Sequence, residues 1–90
     1  MRTIYKYPLH NNNCLVSMPA SGKVIHFDCD LDHQLHVWVE VDTNEAHKER
    51  HFVVFGTGQD IPYGMDHVGT AMEHTSLGTH VWHLYERGAP

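Results

Sequence analysis

The chain has 90 residues, a formal charge of −5 with histidine neutral, six Lys and Arg against eleven Asp and Glu, and ten histidines. One domain of that length buries about two thirds of its unfolded surface around a small core, with a radius of gyration of roughly 12 Å. The acidic balance and the lack of adjacent basic residues argue against non-specific nucleic-acid binding, which needs clustered Lys and Arg, and no run approaches the roughly 18 apolar residues of a membrane helix.

In chain order the pattern predicts strands almost throughout. Residues 3–6 form a short β-favouring run that Pro8 ends, which suits an edge strand. Asn11-Asn12-Asn13 is a turn, residues 14–18 a strand, and Pro19-Ala20-Ser21-Gly22 closes it. Residues 24–30 alternate, with Ile25, Phe27 and Cys29 on one face and His26, Asp28 and Asp30 on the other. Asp32-His33-Gln34 connects this strand to the next as a hairpin. Residues 35–42 alternate most cleanly: Leu35, Val37, Val39 and Val41 face one way, His36, Trp38, Glu40 and Asp42 the other.

Residues 43–49 are polar and read as a loop with room for one helical turn, which Thr43 or Asn44 could cap. Residues 50–55 form a strand, and the Gly- and Pro-rich stretch 56–64 an irregular loop. Residues 67–74 form a strand that Gly69 interrupts as a bulge, Ser76-Leu77-Gly78 turns the chain, residues 79–86 form the last strand, and residues 87–90 are a frayed end. Six or seven short strands at roughly 8–12-residue intervals make a small antiparallel β-sandwich or barrel, a single all-β domain over residues 1–90. A homo-oligomer would enlarge its marginal core and cover its sheet edges. Lacking a secretory leader and a membrane segment, the chain is expected to be soluble and cytoplasmic. Cys14 and Cys29 are expected as free, small buried side chains in a reducing compartment, a single bridge between them being the alternative.

Thr3-Ile4-Tyr5-Lys6-Tyr7-Pro8-Leu9, Met18-Pro19, Trp38, Arg50, Phe52, Gly56-Thr57-Gly58, Ile61-Pro62, Gly69-Thr70 and Val81-Trp82-His83-Leu84-Tyr85-Glu86 are spread over the whole length. Together they resemble a widespread family of small, largely uncharacterised proteins of tailed phages and prophages. The resemblance implies a counter-defence role inside a bacterial host cell. The protein would either sequester a cyclic nucleotide immune signal or block a host effector by direct contact. The many histidines depart from the family's pattern, so they are not expected to form a family-wide metal site.

The residues themselves offer four chemistries. Asp30-Leu31-Asp32-His33-Gln34-Leu35-His36 supplies carboxylates and imidazoles that zinc accepts, but i and i+3 point to opposite faces of a strand, so His33 and His36, or His80 and His83, converge only through a bend. We therefore assign no metal ligand and no cofactor; a histidine-based metal binder stays an alternative function. Cys29 beside Ile25 and Phe27 reads as buried and unreactive. Ser17, Ser21 and Ser76 lack a nucleophile's context, so no catalytic residue is assigned and no enzyme activity is expected. Gly56-Thr57-Gly58 reads as a tight turn, or as a small nest of backbone amides for an anion. Trp38, on the polar face of its strand, covers either a ligand or a second layer, and Trp82 reads as core.

These readings combine into one expected function. A homo-oligomer binds a nucleotide-like signal without cleaving it, through Tyr5, Trp38 and Tyr85 stacking on bases and through Arg50, Thr57 and the Gly56 and Gly58 backbone on phosphates. The alternative is a protein-interaction inhibitor of a host defence enzyme, using the acidic face of Asp28, Asp30, Asp32, Glu40 and Asp42. The charge is also pH-sensitive, since at about pH 6.5 half of ordinary histidines are protonated and the net charge approaches zero.

Overall fold

Period-two alternation decides the architecture. Val37, Val39 and Val41 are at most 2% exposed, while the residues between them turn away from the core. The computed structural model describes residues 1–88, and among these every regular element is a strand. The strands are β1 (Arg2–Pro8), β2 (Asn13–Pro19), β3 (Lys23–Cys29), β4 (Leu35–Asp42), β5 (His47–Gly56), β6 (Met65–Thr75) and β7 (Gly78–Arg87).

All pairings are antiparallel, in a three-stranded sheet of order β1-β4-β3 and a four-stranded sheet of order β2-β5-β7-β6. The domain is therefore a β-sandwich and not a closed barrel. Its extents are 44 × 31 × 17 Å and its radius of gyration 13.5 Å. Along one seam β3 lies against β6 without a ladder between them: a Cβ at Gly69 would stand 3.4 Å from Phe27 Cβ. The core between the sheets joins Val37, Val39, Val41 and Phe27 to Met18, Phe52, Val54, Ala71 and Leu84. Each large side chain fully buried there contributes about 1.5–3 kcal/mol.

The turns explain the strand ends. Between β3 and β4, the His33 N–H donates to the Asp30 carbonyl at 3.0 Å and the Asp30 N–H to the Gln34 carbonyl at 3.0 Å. Asp30 Oδ1 also accepts the N–H groups of Asp32 and Gln34 at 2.9 and 3.0 Å. His33 completes this three-residue loop in the left-handed region, at φ 64°, the conformation that follows a type I turn in such hairpins. Between β6 and β7 the register pairs Thr75 with Gly78, so Ser76 and Leu77 form a two-residue loop.

Some expectations needed correction. Residues 47–49 extend β5 instead of forming a loop, because they pair with Ser17, Met18 and Pro19, and a polar segment joins a sheet readily when an edge strand offers it a ladder. In β3 the register shifts between Val24 and His26, so Val24 faces Val39 and Ile25 is turned outward at 46% exposure. The bulge at Gly69 is present, as a register shift between His67 and Gly69. Arg87 pairs with Met65, and the Gly88 N–H donates to the Gly64 carbonyl at 2.9 Å, so this part of the expected frayed end is ordered. Ala89 and Pro90 lie outside the described residues. Both cysteines are free.

Candidate functional site

The two-residue β6–β7 loop sets the register of the whole hairpin and so places the chemistry. Pairing Thr75 with Gly78 puts Glu73 opposite His80 and Ala71 opposite Trp82. Ala71 is buried, which marks this as the inner face of the four-stranded sheet. His80 and Trp82, two apart on that face, stack with ring centroids 5.8 Å apart and planes 20° from parallel. Trp82 is half-buried and packs on the core. Gly56 and Thr57, where β5 leaves the sheet, stand across from them, and together with Thr79 and Val81 these residues line a groove of about 390 Å³. That volume lies in the range of small-molecule sites.

The Gly56-Thr57-Gly58 segment forms a turn. The Gln59 N–H donates to the Gly56 carbonyl at 3.2 Å, and Gly58 takes φ 93°. A positive φ at the third turn position is the reason a glycine serves there. The Gly56 N–H donates to Gln59 Oε1 at 2.5 Å, so this amide is already engaged. Thr57 Oγ1 lies 2.9 Å from His83 Nε2.

Glu73 connects the groove to a second cluster. Its Oε1 accepts the Trp82 indole N–H at 3.1 Å, and its Oε2 lies 3.0 Å from His33 Nδ1. Cys29, at the end of β3, completes a group whose sulfur, imidazole nitrogen and carboxylate oxygen all lie within 4.8 Å of one another. Burial pushes the Cys29 thiol pKa up, and the charges of Glu73, Asp30 and Asp28 add to this. The hydrogen bond from the Gln34 N–H, with that from Asp32, holds the Asp30 carboxyl below its ordinary value.

The other expected ligand residues are dispersed. Trp38 lies on the outer face of the three-stranded sheet, with Lys6 Nζ 5.4 Å from its ring centroid and the rings of His26 and His36 at 5.2 and 6.0 Å. Tyr5 pairs with the buried Val39 on the opposite face of that sheet and meets Tyr7 edge-on at 6.2 Å. Tyr85 belongs to the outer face of the four-stranded sheet, edge-on to Phe55 at 5.5 Å and to His67 at 5.3 Å.

Arg50 is turned inward, its Nε and Nη2 donating to both carboxylate oxygens of Glu86 at 2.6 and 2.8 Å and its Nη1 to the Gly22 carbonyl. The hydrogen bonds to Glu86 raise its already high pKa. A cleft of about 290 Å³ beside it mixes Lys48, Arg50 and Arg87 with Glu49, Asp66 and Glu86, which leaves it no net attraction for an anion. Of the seven expected residues, the fold thus brings Gly56 and Thr57 into one concave site, with Gly58 shaping the turn.

The sequence model of a family described as a domain of unknown function, DUF7352, matches residues 1–90. The chain belongs to the DUF7352 family. No curated protein and no solved structure matches it. Among the described residues no helix of this DUF7352 domain is long and apolar enough to cross a membrane.

The groove and the cluster of the DUF7352 domain use His80, Trp82, Glu73, Cys29 and His33; the sequence reading weighed His33 and His80 as metal ligands but assigned none of the five to a site. One signal for them was present. The Ser76-Leu77-Gly78 turn, taken as a two-residue loop, already pairs residue 73 with 80 and 71 with 82.

Proposed function

We propose that this protein is a non-catalytic binding domain that holds a nucleotide-like ligand in the groove between the Gly56-Thr57-Gly58 turn and the His80–Trp82 pair. One observation carries the reading: a stacked aromatic pair and a glycine-flanked turn line the same concave surface. A planar base stacks on His80 or slides against the rim of Trp82, a contact worth about 1–3 kcal/mol per base. The Thr57 hydroxyl and the turn amides left free by Gln59 meet the ligand's polar edge. In the biological role proposed with this, the ligand is a cyclic nucleotide immune signal, sequestered intact by a phage protein in its host cell. A homo-oligomer would deepen the groove by covering its open side.

The test is native mass spectrometry of the untagged protein with a panel of cyclic oligonucleotides. The expected result is a retained, uncleaved ligand, whose affinity falls at least about tenfold in His80→Ala and in Thr57→Ala. His80 and Thr57 are exposed, so these variants fold. Retained ligand with both variants unaffected and Trp38→Ala deficient would move the site to the outer face of the three-stranded sheet. Binding of no panel member would refute the reading.

A second reading, an inhibitor that docks on a host protein, is favoured by that outer face. Ile4 and Ile25 are 53% and 46% exposed there beside Trp38. Asp28, Glu40 and Asp42 border them on the same side by register, as do Arg2, Lys6 and Lys23. Its mark would be partner binding that is lost in Trp38→Ala.

A further inference from the structure

We propose that Cys29, His33 and Glu73 bind one divalent transition-metal ion of the zinc class, and that the ion ties the two sheets together along the seam between β3 and β6. Two donors come from one hairpin, Cys29 as the last residue of β3 and His33 in the β3–β4 loop, and the third, Glu73, from the inner face of the distant strand β6. Among the described residues this is the one place where three such donors converge.

The geometry suits the ion. Metal–ligand bonds of about 2.0–2.3 Å in a tetrahedron set donor atoms roughly 3.3–3.8 Å apart. The His33 nitrogen and the Glu73 oxygen already stand 3.0 Å apart, and all three donors lie within 4.8 Å, so small side-chain rotations close the site. A thiolate with an imidazole and a carboxylate selects a zinc-class cation over magnesium or calcium, which take oxygen ligands. Binding forms the sulfur–metal bond as the thiol gives up its proton to solvent, and a water molecule takes the fourth position.

Two features support the ligands from outside. The Trp82 indole holds Glu73 Oε1 and leaves Oε2 aimed at His33, the kind of outer contact that orients a metal ligand. The left-handed backbone of His33, fixed by the Asp30 hydrogen bonds, turns its imidazole toward β6 instead of along the strand. The seam lacks a hydrogen-bond ladder, so a metal bridge joins what the backbone does not.

The test is titration of the metal-free, untagged full chain with Co²⁺ alone, followed by absorption and by thermal unfolding. One equivalent should bind with the sulfur-to-cobalt charge-transfer band and the strong visible bands of a tetrahedral thiolate complex, and should raise the melting temperature. Cys29→Ser should lose the sulfur band, and Cys14→Ser should keep it. His33→Asn, which keeps the left-handed backbone, and Glu73→Gln should weaken binding at least about tenfold. No stoichiometric binding would overturn the proposal, as would a sulfur band that survives Cys29→Ser or an affinity unmoved by His33→Asn. None of these readouts uses the nucleotide panel, so the site stands or falls apart from the groove.

Discussion

Arg50 and Glu86 face each other across the β5–β7 region as a two-pronged ion pair, the guanidinium Nε and Nη2 each holding one carboxylate oxygen, at 2.6 and 2.8 Å. Their side chains are 14% and 23% exposed. A third donor of Arg50 reaches the Gly22 carbonyl in the β2–β3 turn, so the side chain also fastens that turn to the sheet. Arg50→Ala leaves Glu86 without its partner and should lower the unfolding free energy by about 3 kcal/mol, measured by denaturant unfolding. Removing Glu86 as well should cost less than the sum of the two single changes, because both report on one interaction.

Gly22 sits where no side chain fits. A Cβ there would meet Val39 Cγ1 at 2.9 Å, with Met18 Sδ and the Pro19 carbonyl at 3.1 Å. Val39 and Met18 are fully buried and cannot withdraw. Gly22→Ala should therefore destabilise by about 1–3 kcal/mol, a melting-temperature loss of roughly 4–8 °C per kcal/mol for a domain of this size. Gly58→Asn, a substitution at a turn position with no neighbour within 4 Å and a left-handed backbone, should cost much less.

Apolar character alone does not predict cost. Phe52 is wholly buried, and Phe52→Ala should destabilise by about 3–5 kcal/mol. Leu77, at the tip of the β6–β7 loop, is 95% exposed, and Leu77→Ser should stay within about 0.5 kcal/mol of the parent. Chemical denaturation of the two variants side by side gives the comparison.

Asp42 makes stability depend on pH at the acid end. The Asn44 N–H donates to its Oδ1 at 3.0 Å, and this bond, with the nearby N-terminal ammonium and Arg2, holds its pKa below the ordinary 3.8. A carboxyl depressed in the folded state stabilises fully above its unfolded value, and that stability disappears as pH falls through the lower folded value. Asp42→Asn should therefore be less stable than the parent at neutral pH, and the difference should shrink below about pH 4. Thermal unfolding of both proteins from pH 2 to 7 would show it.

Much of this fold was legible residue by residue. The valines of 35–42, the Asn-rich turn, the Gly69 bulge and the Ser76-Leu77-Gly78 reversal are local signals, because strand alternation and turn preference depend on near neighbours. The outward swing of Ile25 was not legible, since a bulge depends on how β3 is paired with β4 and not on the period of β3 itself. The extension of β5 through residues 47–49 was hidden for the same reason: its partner strand lies about thirty residues earlier in the chain.

The sites divide along that line. By itself the sequence determined a small all-β domain, the inner and outer faces of β4, and a glycine-flanked turn after β5. Only the tertiary structure decided that Arg50 faces Glu86, that Tyr5 and Trp38 lie on opposite faces of one sheet, and that Cys29, His33 and Glu73 meet. The physical reason is one of range. Side-chain alternation is written within a single strand, whereas the meeting of distant residues follows from strand order, register and the packing of one sheet on the other.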